Sequence, residues 1–317
     1  MGTTEQLSEH ENAVRTGAGL VDRSERGKLA LSGADTKRFL QGQITNDVVA
    51  LEPGHGLYAA FLTAKGKMLG DLRVLDAGDE LLLDTERVAL QELFTMIRRY
   101  KLGFDVELHR RTLERGLLSL VGPQARELLG EAAQPGELPA EEHANAAAEL
   151  DGIPVRLIAT DLGVDLLVDS AQTEALKQLL VARGAVPVPE AVAEVVRVER
   201  GRPRYGVDLD DTTIPQEADL NERAVSFTKG CYVGQETVAR LFYKGKPNRH
   251  LRGLRLSAPV ASGTELTLDG KRVGAVGSVA VSPAHGSIAL ALVRREAEPG
   301  TTVSVGEATA EVIALPF

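Results

Sequence analysis

The feature that most constrains the fold of this chain is an internal repeat. The segment LRVLDAGDELLLDTERVALQELFTMIRR, which begins at Leu72, can be laid beside VRLIATDLGVDLLVDSAQTEALKQLLVAR, which begins at Val155. Each copy predicts a strand, a tight turn, a second strand ending in Asp, and an amphipathic helix. The predicted buried helix faces are Ala89, Leu93, Ile97 and Tyr100 in the first copy and Leu176, Leu179 and Leu180 in the second. Two such units predict an α+β body with helices covering one face of each sheet.

From Leu251 to the C-terminus the pattern changes. Short apolar strands recur at close spacing, and Asp269-Gly270 within LTLDGKRVG is a dipeptide typical of a two-residue hairpin turn. We therefore predict two pseudo-repeated α+β subdomains within residues 1–250 and a small β-barrel over residues 251–317.

Residues 201–236 show neither a helical nor a strand period. A stretch of about 35 residues without regular structure is long for a compact domain and indicates either disorder or function. Its aromatic side chains, Tyr205, Phe227 and Tyr232, are spread among carboxylates and glycines, which is not the composition of a disordered segment. We expect the segment to be functional.

The chain is acidic overall but carries one basic stretch. The formal net charge of −9 argues against unspecific nucleic-acid binding as the main activity. Residues 237–264 contain no acidic residue, whereas six basic ones lie there: Arg240, Lys244, Lys246, Arg249, Arg252 and Arg255. Two interpretations stay open, a solvated linker between domains, or a seat for an anionic ligand tail or a partner such as tRNA.

Neither a membrane span nor a targeting segment is indicated. No apolar run approaches the roughly 18–20 residues that cross a bilayer. The N-terminal MGTTEQLSEHENAVR is polar and acidic, without the basic-then-apolar order of a signal peptide. We expect a cytoplasmic protein.

The chain has a single cysteine, Cys231, and six histidines. One cysteine excludes an intramolecular disulfide, and the histidines show no metal-binding spacing, so we expect no metal site. Cys231 lies in KGCYVGQETVAR, beside Lys229 and at the glycine-rich start of a predicted helix. A nearby cation and a helix N-terminus both favour a thiolate. The alternative is a cysteine that is merely packed in the interior.

Four blocks of sequence, in this order, carry a resemblance to a known family. They are FLQGQITNDV (39–48), AKGKMLGDLRV (64–74), GRPRYGVDLDDTTIPQEADL (201–220) and SFTKGCYVGQE (226–236). Over nearly the whole chain these blocks resemble the YgfZ-type folate-binding proteins of the glycine cleavage T-protein superfamily. The resemblance implies two α+β subdomains and a C-terminal barrel around a central channel that holds tetrahydrofolate or a one-carbon derivative.

The resemblance also implies binding residues. One carboxylate can accept both adjacent donors of a pterin. Related T-proteins carry such an acid after a Tyr-Gly pair, and the matching positions here are Tyr205, Gly206 and Asp208, with Tyr205 able to stack on or hydrogen-bond the ligand. T-proteins carry two adjacent acids at this point of the chain; here Asp71 matches one of them, and Gly70 replaces the other. Asp71 is therefore a folate contact, a vestige of the pair or an ordinary residue at the start of a strand. The further candidates are Tyr232, Gln235, Glu236 and, for the anionic glutamyl tail, Arg240.

Three functions remain open. The resemblance implies an accessory protein in which folate and Cys231, assisted by Lys229, support the assembly or repair of iron–sulfur clusters, including those of tRNA-modifying enzymes. One cysteine cannot hold a cluster that takes about four ligands, so Cys231 would form a mixed disulfide, a persulfide or one shared ligand. The alternatives are a folate-dependent aminomethyltransferase of the T-protein type and a tRNA-binding module without chemistry. Whether catalytic turnover occurs stays open.

Overall fold

The computed structural model describes residues 4–134 and 136–317. Its contacts divide the chain into two compact units. The first consists of residues 4–41, 47–59 and 72–193, and the second of residues 42–46, 60–71 and 194–317. Each unit is therefore assembled from three separate segments of the chain.

The described residues form helices, strands and short 3-10 turns. The helices are α1 (Thr4–Thr16), α2 (Thr36–Gln41), α3 (Leu90–Tyr100), α4 (Ala125–Leu129), α5 (Thr173–Ala182), α6 (Glu190–Glu199), α7 (Asn221–Ala224) and α8 (Gln235–Lys244). The strands of the α+β part are β1 (Gly19–Asp22), β2 (Gly27–Ser32), β3 (Gly56–Leu62), β4 (Met68–Asp76), β5 (Leu81–Thr85), β6 (Glu107–Arg110), β7 (Arg115–Val121), β8 (Asn145–Leu150), β9 (Ile153–Thr160), β10 (Gly163–Asp169) and β11 (Val186–Pro187). The later strands are β12 (Arg249–Leu256), β13 (Glu265–Leu268), β14 (Lys271–Ser282), β15 (Gly286–Arg294), β16 (Thr302–Val305) and β17 (Ala308–Ile313). The 3-10 turns are Arg87–Ala89, Gly130–Ala133, Ser170–Gln172 and Pro215–Ala218.

The repeat predicted from the sequence is present. In the first copy β4 pairs antiparallel with β5 and leads into α3, and in the second β9 pairs antiparallel with β10 and leads into α5. Leu93 and Ile97 are buried on α3, as Leu176 and Leu180 are on α5. Tyr100 is 45% exposed, so its prediction as a core residue is wrong; α3 ends at this residue, and no further turn follows to cover the ring.

The two copies contribute to two different sheets. One sheet has the strand order β11-β1-β7-β10-β9-β8, and the other has the order β3-β4-β5-β2-β6. Aliphatic side chains of the six-stranded sheet, of α4 and of α5 form one core cluster. A smaller cluster, Ala30, Leu75, Leu82 and Ile158, joins strands of both sheets.

A buried ion network also links the two sheets within the first unit. Arg73 donates from Nε to Asp84 at 2.7 Å and from Nη1 to Asp165 at 2.6 Å, and Arg26 donates to Asp84 at 2.8 Å. Burial alone would raise the pKa of Asp84, but the charges and hydrogen bonds of Arg26 and Arg73 outweigh it and hold that pKa well below its ordinary value. Asp84 is therefore ionised, with Arg26 and Arg73 as the partners of its charge.

The C-terminal strands close into a six-stranded barrel, ordered β12-β15-β14-β13-β16-β17. Its interior is filled by small aliphatic side chains, among them Leu254, Val276 and Val293. Asp269 and Gly270 form the two-residue turn between β13 and β14, both with positive φ, as a type I′ hairpin requires. The predicted α+β class with a C-terminal barrel is confirmed.

Candidate functional site

Asp208 lies at the centre of a hydrogen-bond cluster in the second unit. Its side chain is fully buried. Oδ1 accepts from the backbone N of Ser278 at 2.7 Å, and Oδ2 accepts from Ser278 Oγ at 2.9 Å, from the backbone N of Arg204 at 2.9 Å and from Arg197 Nη1 at 3.1 Å. Oδ2 thus accepts three of these hydrogen bonds and Oδ1 one, so the protein itself already holds the carboxylate in a fixed orientation. The role of Asp208 as the pterin acceptor stays a prediction.

The local backbone explains why Asp208 can reach the barrel wall. The pairing of β14 with β15 shifts register between Val276 and Val279, which frees the amide of Ser278 from the ladder. At Gly277 a Cβ atom would lie 2.4 Å from Asp208 Oδ1, so only glycine permits the approach. Burial lowers the pKa of Arg197, but the hydrogen bond and charge of Glu194, and then those of Asp208, outweigh it and leave that pKa raised.

A cavity of about 640 Å³ lies next to this cluster. It is lined by Val207, Asp208, Asp210 and Thr212 of the loop and by barrel residues that include Arg249, Arg272 and Arg294. Its volume is within the range of about 300–1,000 Å³ that is typical of small-molecule sites. Tyr205 is buried and forms a β-bridge with Leu209.

Cys231 is exposed, and the residues before it are fixed in place. The side chain of Lys229 is turned inwards, and its ammonium group donates to the backbone oxygens of Ile44 at 2.8 Å and Asn46 at 2.9 Å. The same Nζ lies 5.1 Å from the ring centroid of Tyr232, a cation–π distance. Lys229 thus anchors the loop through two carbonyls.

The residues after Cys231 are fixed as well. Val233 N donates to Gly42 O at 3.2 Å. Gly234 has a φ of 84°, and a Cβ atom there would lie 2.6 Å from Thr63 O, so the position requires glycine. The helix predicted near Cys231 is present as α8, and because this left-handed residue precedes it, α8 begins at Gln235. Cys231 is therefore a loop residue outside the first turn of α8.

The remaining predicted contacts lie in several environments. Tyr232 is buried, and burial raises its pKa to about 12. Asp71 is buried in β4, whereas Gln235 is half-buried and Glu236 and Arg240 are exposed on α8. The structure brings Lys229 and Tyr232 together beside Cys231, and it holds Asp208 against the barrel.

Three amides that the sequence analysis missed have buried side-chain oxygens without a hydrogen-bond partner among the described residues. They are Gln43 Oε1, Gln216 Oε1 and Asn221 Oδ1, all in the second unit. Gln43 lies between Gly42 and Ile44, whose backbone oxygens accept from Val233 and Lys229. A reduced pterin is rich in N–H donors, so unpaired amide oxygens fit it chemically. Gln43 and Gln216 lie inside the motif blocks and Asn221 directly after one, but the sequence cannot tell which amides are left unpaired.

The basic residues that lie on β12 are distributed over its two faces. Arg249 forms an ion pair with Glu217 at 2.9 Å, and Arg255 lies 3.9 Å from Glu311. Side chains alternate along a strand, so Arg252 lies on the face opposite both. Arg240 and Lys244 lie on α8 and Lys246 in the following loop. The use of these six residues to bind tRNA stays a prediction.

Two further findings concern the described part of the chain. No helix there has the length and apolar character needed to cross a membrane. Those residues also include no group of three or more His, Cys, Asp or Glu side chains placed to hold a metal ion.

Comparison with known protein families shows to which family this chain belongs. Residues 3–229 match the GCVT N-terminal domain, and residues 249–317 match the glycine cleavage T-protein C-terminal barrel domain. The chain belongs to the glycine cleavage T-protein family. Its fold is therefore aminomethyltransferase-like, and folate use is supported at the level of the family.

Individual members of the T-protein family are similar along almost the entire chain. An aminomethyltransferase of Rubrobacter xylanophilus is 32% identical over 98% of this chain and 85% of its own length. A protein of Arabidopsis thaliana described as a chloroplastic transferase is 29% identical over 93% of this chain and 70% of its own. The crystal structure of the glycine cleavage system aminomethyltransferase T from Bartonella henselae superimposes with a TM-score of 0.87 at 26% identity, covering 98% of this chain and 89% of that one.

Proposed function

We propose that this T-protein family member is of the YgfZ type, a tetrahydrofolate-binding accessory protein that supports the assembly or repair of iron–sulfur clusters through Cys231. One observation carries the proposal. The only cysteine of the chain is exposed in a loop that is anchored on both sides, by Lys229 before it and by Val233 and Gly234 after it. A packing role would bury the thiol, whereas a rigid and exposed loop presents it to another molecule.

The folate part of the proposal keeps Asp208 as a pterin acceptor and adds three amides. The unpaired amide oxygens of Gln43, Gln216 and Asn221 supply neutral acceptors for the pterin, which when bound carries the one-carbon chemistry of the family. Tyr205, Asp71, Tyr232, Gln235, Glu236 and Arg240 are further proposed contacts. The proposal keeps the division into α+β subdomains within residues 1–250 and a barrel over residues 251–317.

A single exposed cysteine suits an accessory role better than the role of a cluster carrier. A cluster takes about four protein ligands, so Cys231 contributes at most one, and the client protein supplies the others. The proposed partners are therefore iron–sulfur enzymes or cluster-assembly proteins, among them tRNA-modifying enzymes. A cytoplasmic location is part of this proposal, although the Arabidopsis relative is a chloroplastic protein.

The proposal is tested in cells that lack the protein. We expect the activity of an iron–sulfur tRNA-thiolating enzyme to fall and to recover when the wild-type chain is supplied, while an enzyme without a cluster keeps its activity throughout. Purified protein should bind tetrahydrofolate in a calorimetric titration. Unchanged cluster-enzyme activity in the deficient cells would refute the accessory role, and absence of folate binding would refute the ligand assignment.

A second candidate, a folate-dependent aminomethyltransferase, is favoured by a different observation. The Rubrobacter relative, named an aminomethyltransferase, aligns with 98% of this chain, and the matching acid Asp71 is buried in β4. The missing second acid at Gly70 speaks against it. Purified protein incubated with an aminomethylated carrier protein and tetrahydrofolate decides the matter, because methylenetetrahydrofolate forms only if this second function is correct.

A further inference from the structure

The C-terminal barrel has a strongly basic cavity at one end. Its volume is about 350 Å³, and all of its lining residues lie in the second unit. Only one lining residue is acidic, Glu298, whereas five are basic: Lys246, His250, Arg252, Arg294 and Arg295. We call this space the barrel-mouth cavity.

The strand register explains how these basic groups come together. In the antiparallel pair β12–β15, His250 is opposite Val293 and Arg252 is opposite Ala291. Directly opposed residues share a face of the sheet, and both Val293 and Ala291 belong to the barrel core. His250 and Arg252 therefore continue the inward-facing row beyond the aliphatic core and end at the mouth of the barrel, where Pro299 and Ala297 also line the cavity.

The cations at this mouth are largely without counter-charges. In the part of the chain that the structure describes, Lys246, Arg294 and Arg295 take part in no ion pair, and Arg252 donates one Nη1–H to Leu251 O at 3.0 Å. By contrast, Arg249, on the opposite face of β12, has Glu217 as its partner. Cations held together without partners repel one another, and a bound anion removes that repulsion.

The environment of His250 is consistent with an excess of positive charge. Burial lowers the pKa of His250, and the charge of Arg252 lowers it further, against the weaker opposing effect of Asp219 and Glu217. An anion in the cavity would act in the opposite direction on the same imidazole.

We propose that the barrel-mouth cavity binds a compact, multiply charged phosphate ligand, of the size of a di- or triphosphate group. Arginine forms bidentate hydrogen bonds with phosphate oxygens, and three arginines line this cavity. The volume is at the small end of the range for ligand sites, which favours a compact ligand over a length of nucleic acid. The site involves neither Cys231 nor the proposed folate contacts, so it stands independently of the proposed function.

The test is a calorimetric titration of the full chain with tripolyphosphate. We expect saturable binding at one site and an affinity about tenfold weaker in each of Arg252→Gln and Arg294→Gln, since each removes a charge-assisted contact. Arg255→Gln is the matched control, because Arg255 lies on the same strand as Arg252 but on the other face and half-exposed. It should bind as the wild type does.

A second measurement needs no variant. In the wild-type protein, tripolyphosphate should raise the pKa of His250 in an NMR titration of the histidine signals, and at constant pH it should leave the signal of His10, on α1, in place. No saturable binding, equal weakening by Arg255→Gln, or an unmoved His250 would each overturn the proposal. So would binding of an RNA oligonucleotide or of oligoglutamate at this cavity when tripolyphosphate does not bind.

Discussion

The backbone nitrogen of Ser278 lies 2.7 Å from Oδ1 of Asp208, at the point where β14 departs from regular pairing with β15. This bond joins the loop that follows α6 to the wall of the barrel. Together with Arg197 and the backbone of Arg204, it makes the carboxylate a structural hub. Asp208 therefore holds the loop in place.

We predict that Asp208→Asn destabilises the protein by about 1–3 kcal/mol, because an amide nitrogen cannot accept the buried hydrogen bonds of Ser278, Arg204 and Arg197, while Glu194 still pairs with Arg197. The free energy of unfolding from urea titration measures the loss. Asp211→Asn, an exposed neighbour in the same loop, is the control and should change it by less than about 0.5 kcal/mol. A fully stable Asp208→Asn variant would contradict this structural role.

Gly230 and Gly234, on either side of Cys231, allow a matched comparison of glycine-to-alanine substitutions. Gly234 has a positive φ and no room for a Cβ atom, whereas Gly230 has nothing within 4 Å of that position. We expect Gly234→Ala to cost about 1–3 kcal/mol in stability and Gly230→Ala to be nearly neutral. Equal unfolding midpoints for the two variants would contradict the account of a fixed loop.

The network around Asp84 predicts a dependence of stability on pH. The pKa of Asp84 is depressed in the folded protein. Its contribution to the free energy of unfolding is therefore present at pH values above the unfolded-state pKa of about 3.9, and it is lost as the pH falls towards the folded-state pKa. Asp84→Asn should lower the free energy of unfolding by about 3–5 kcal/mol at pH 7, and the difference from the wild type should shrink on acidification. A difference that stays constant from pH 7 to pH 3 would show that the ion pairs are not its origin.

The buried Tyr232 predicts a loss of protein stability at alkaline pH. Burial raises its pKa to about 12, so the unfolded chain loses this proton near pH 10 while the folded chain retains it. The contribution of the neutral Tyr232 phenol to the stability of the folded protein is therefore present below about pH 10 and is lost as the pH rises towards 12. Ultraviolet titration of the wild type and of Tyr232→Phe should show one late-ionising phenol that the variant lacks. Loss of the Tyr232 proton at the ordinary pKa of a phenol would contradict the burial of this side chain.

The elements that the sequence predicted best are those with a local cause. The repeat follows from apolar spacing, and the Asp269-Gly270 turn follows from backbone conformations that few residues adopt. Tyr100 was placed wrongly because periodicity does not tell where the sheet stops covering a helix.

The candidate site was predictable only in part, because its decisive contacts are long-range. The motif located Cys231 but could not show that Lys229 turns towards Ile44, 185 residues earlier. In the same way Asp208 and Ser278 are 70 residues apart, so neither the hydrogen bonds of this carboxylate nor the unpaired oxygen of Gln43 could be inferred from spacing.

The central claim is that the Cys231 thiol carries the function, and one substitution tests it most directly. In cells that lack the protein, Cys231→Ser is expressed at the level of the wild type, and the activity of an iron–sulfur tRNA-thiolating enzyme is measured. Because the side chain is exposed, the variant should fold and bind tetrahydrofolate normally, yet leave the enzyme as inactive as in the deficient cells. Recovery to the wild-type level by Cys231→Ser would contradict the account.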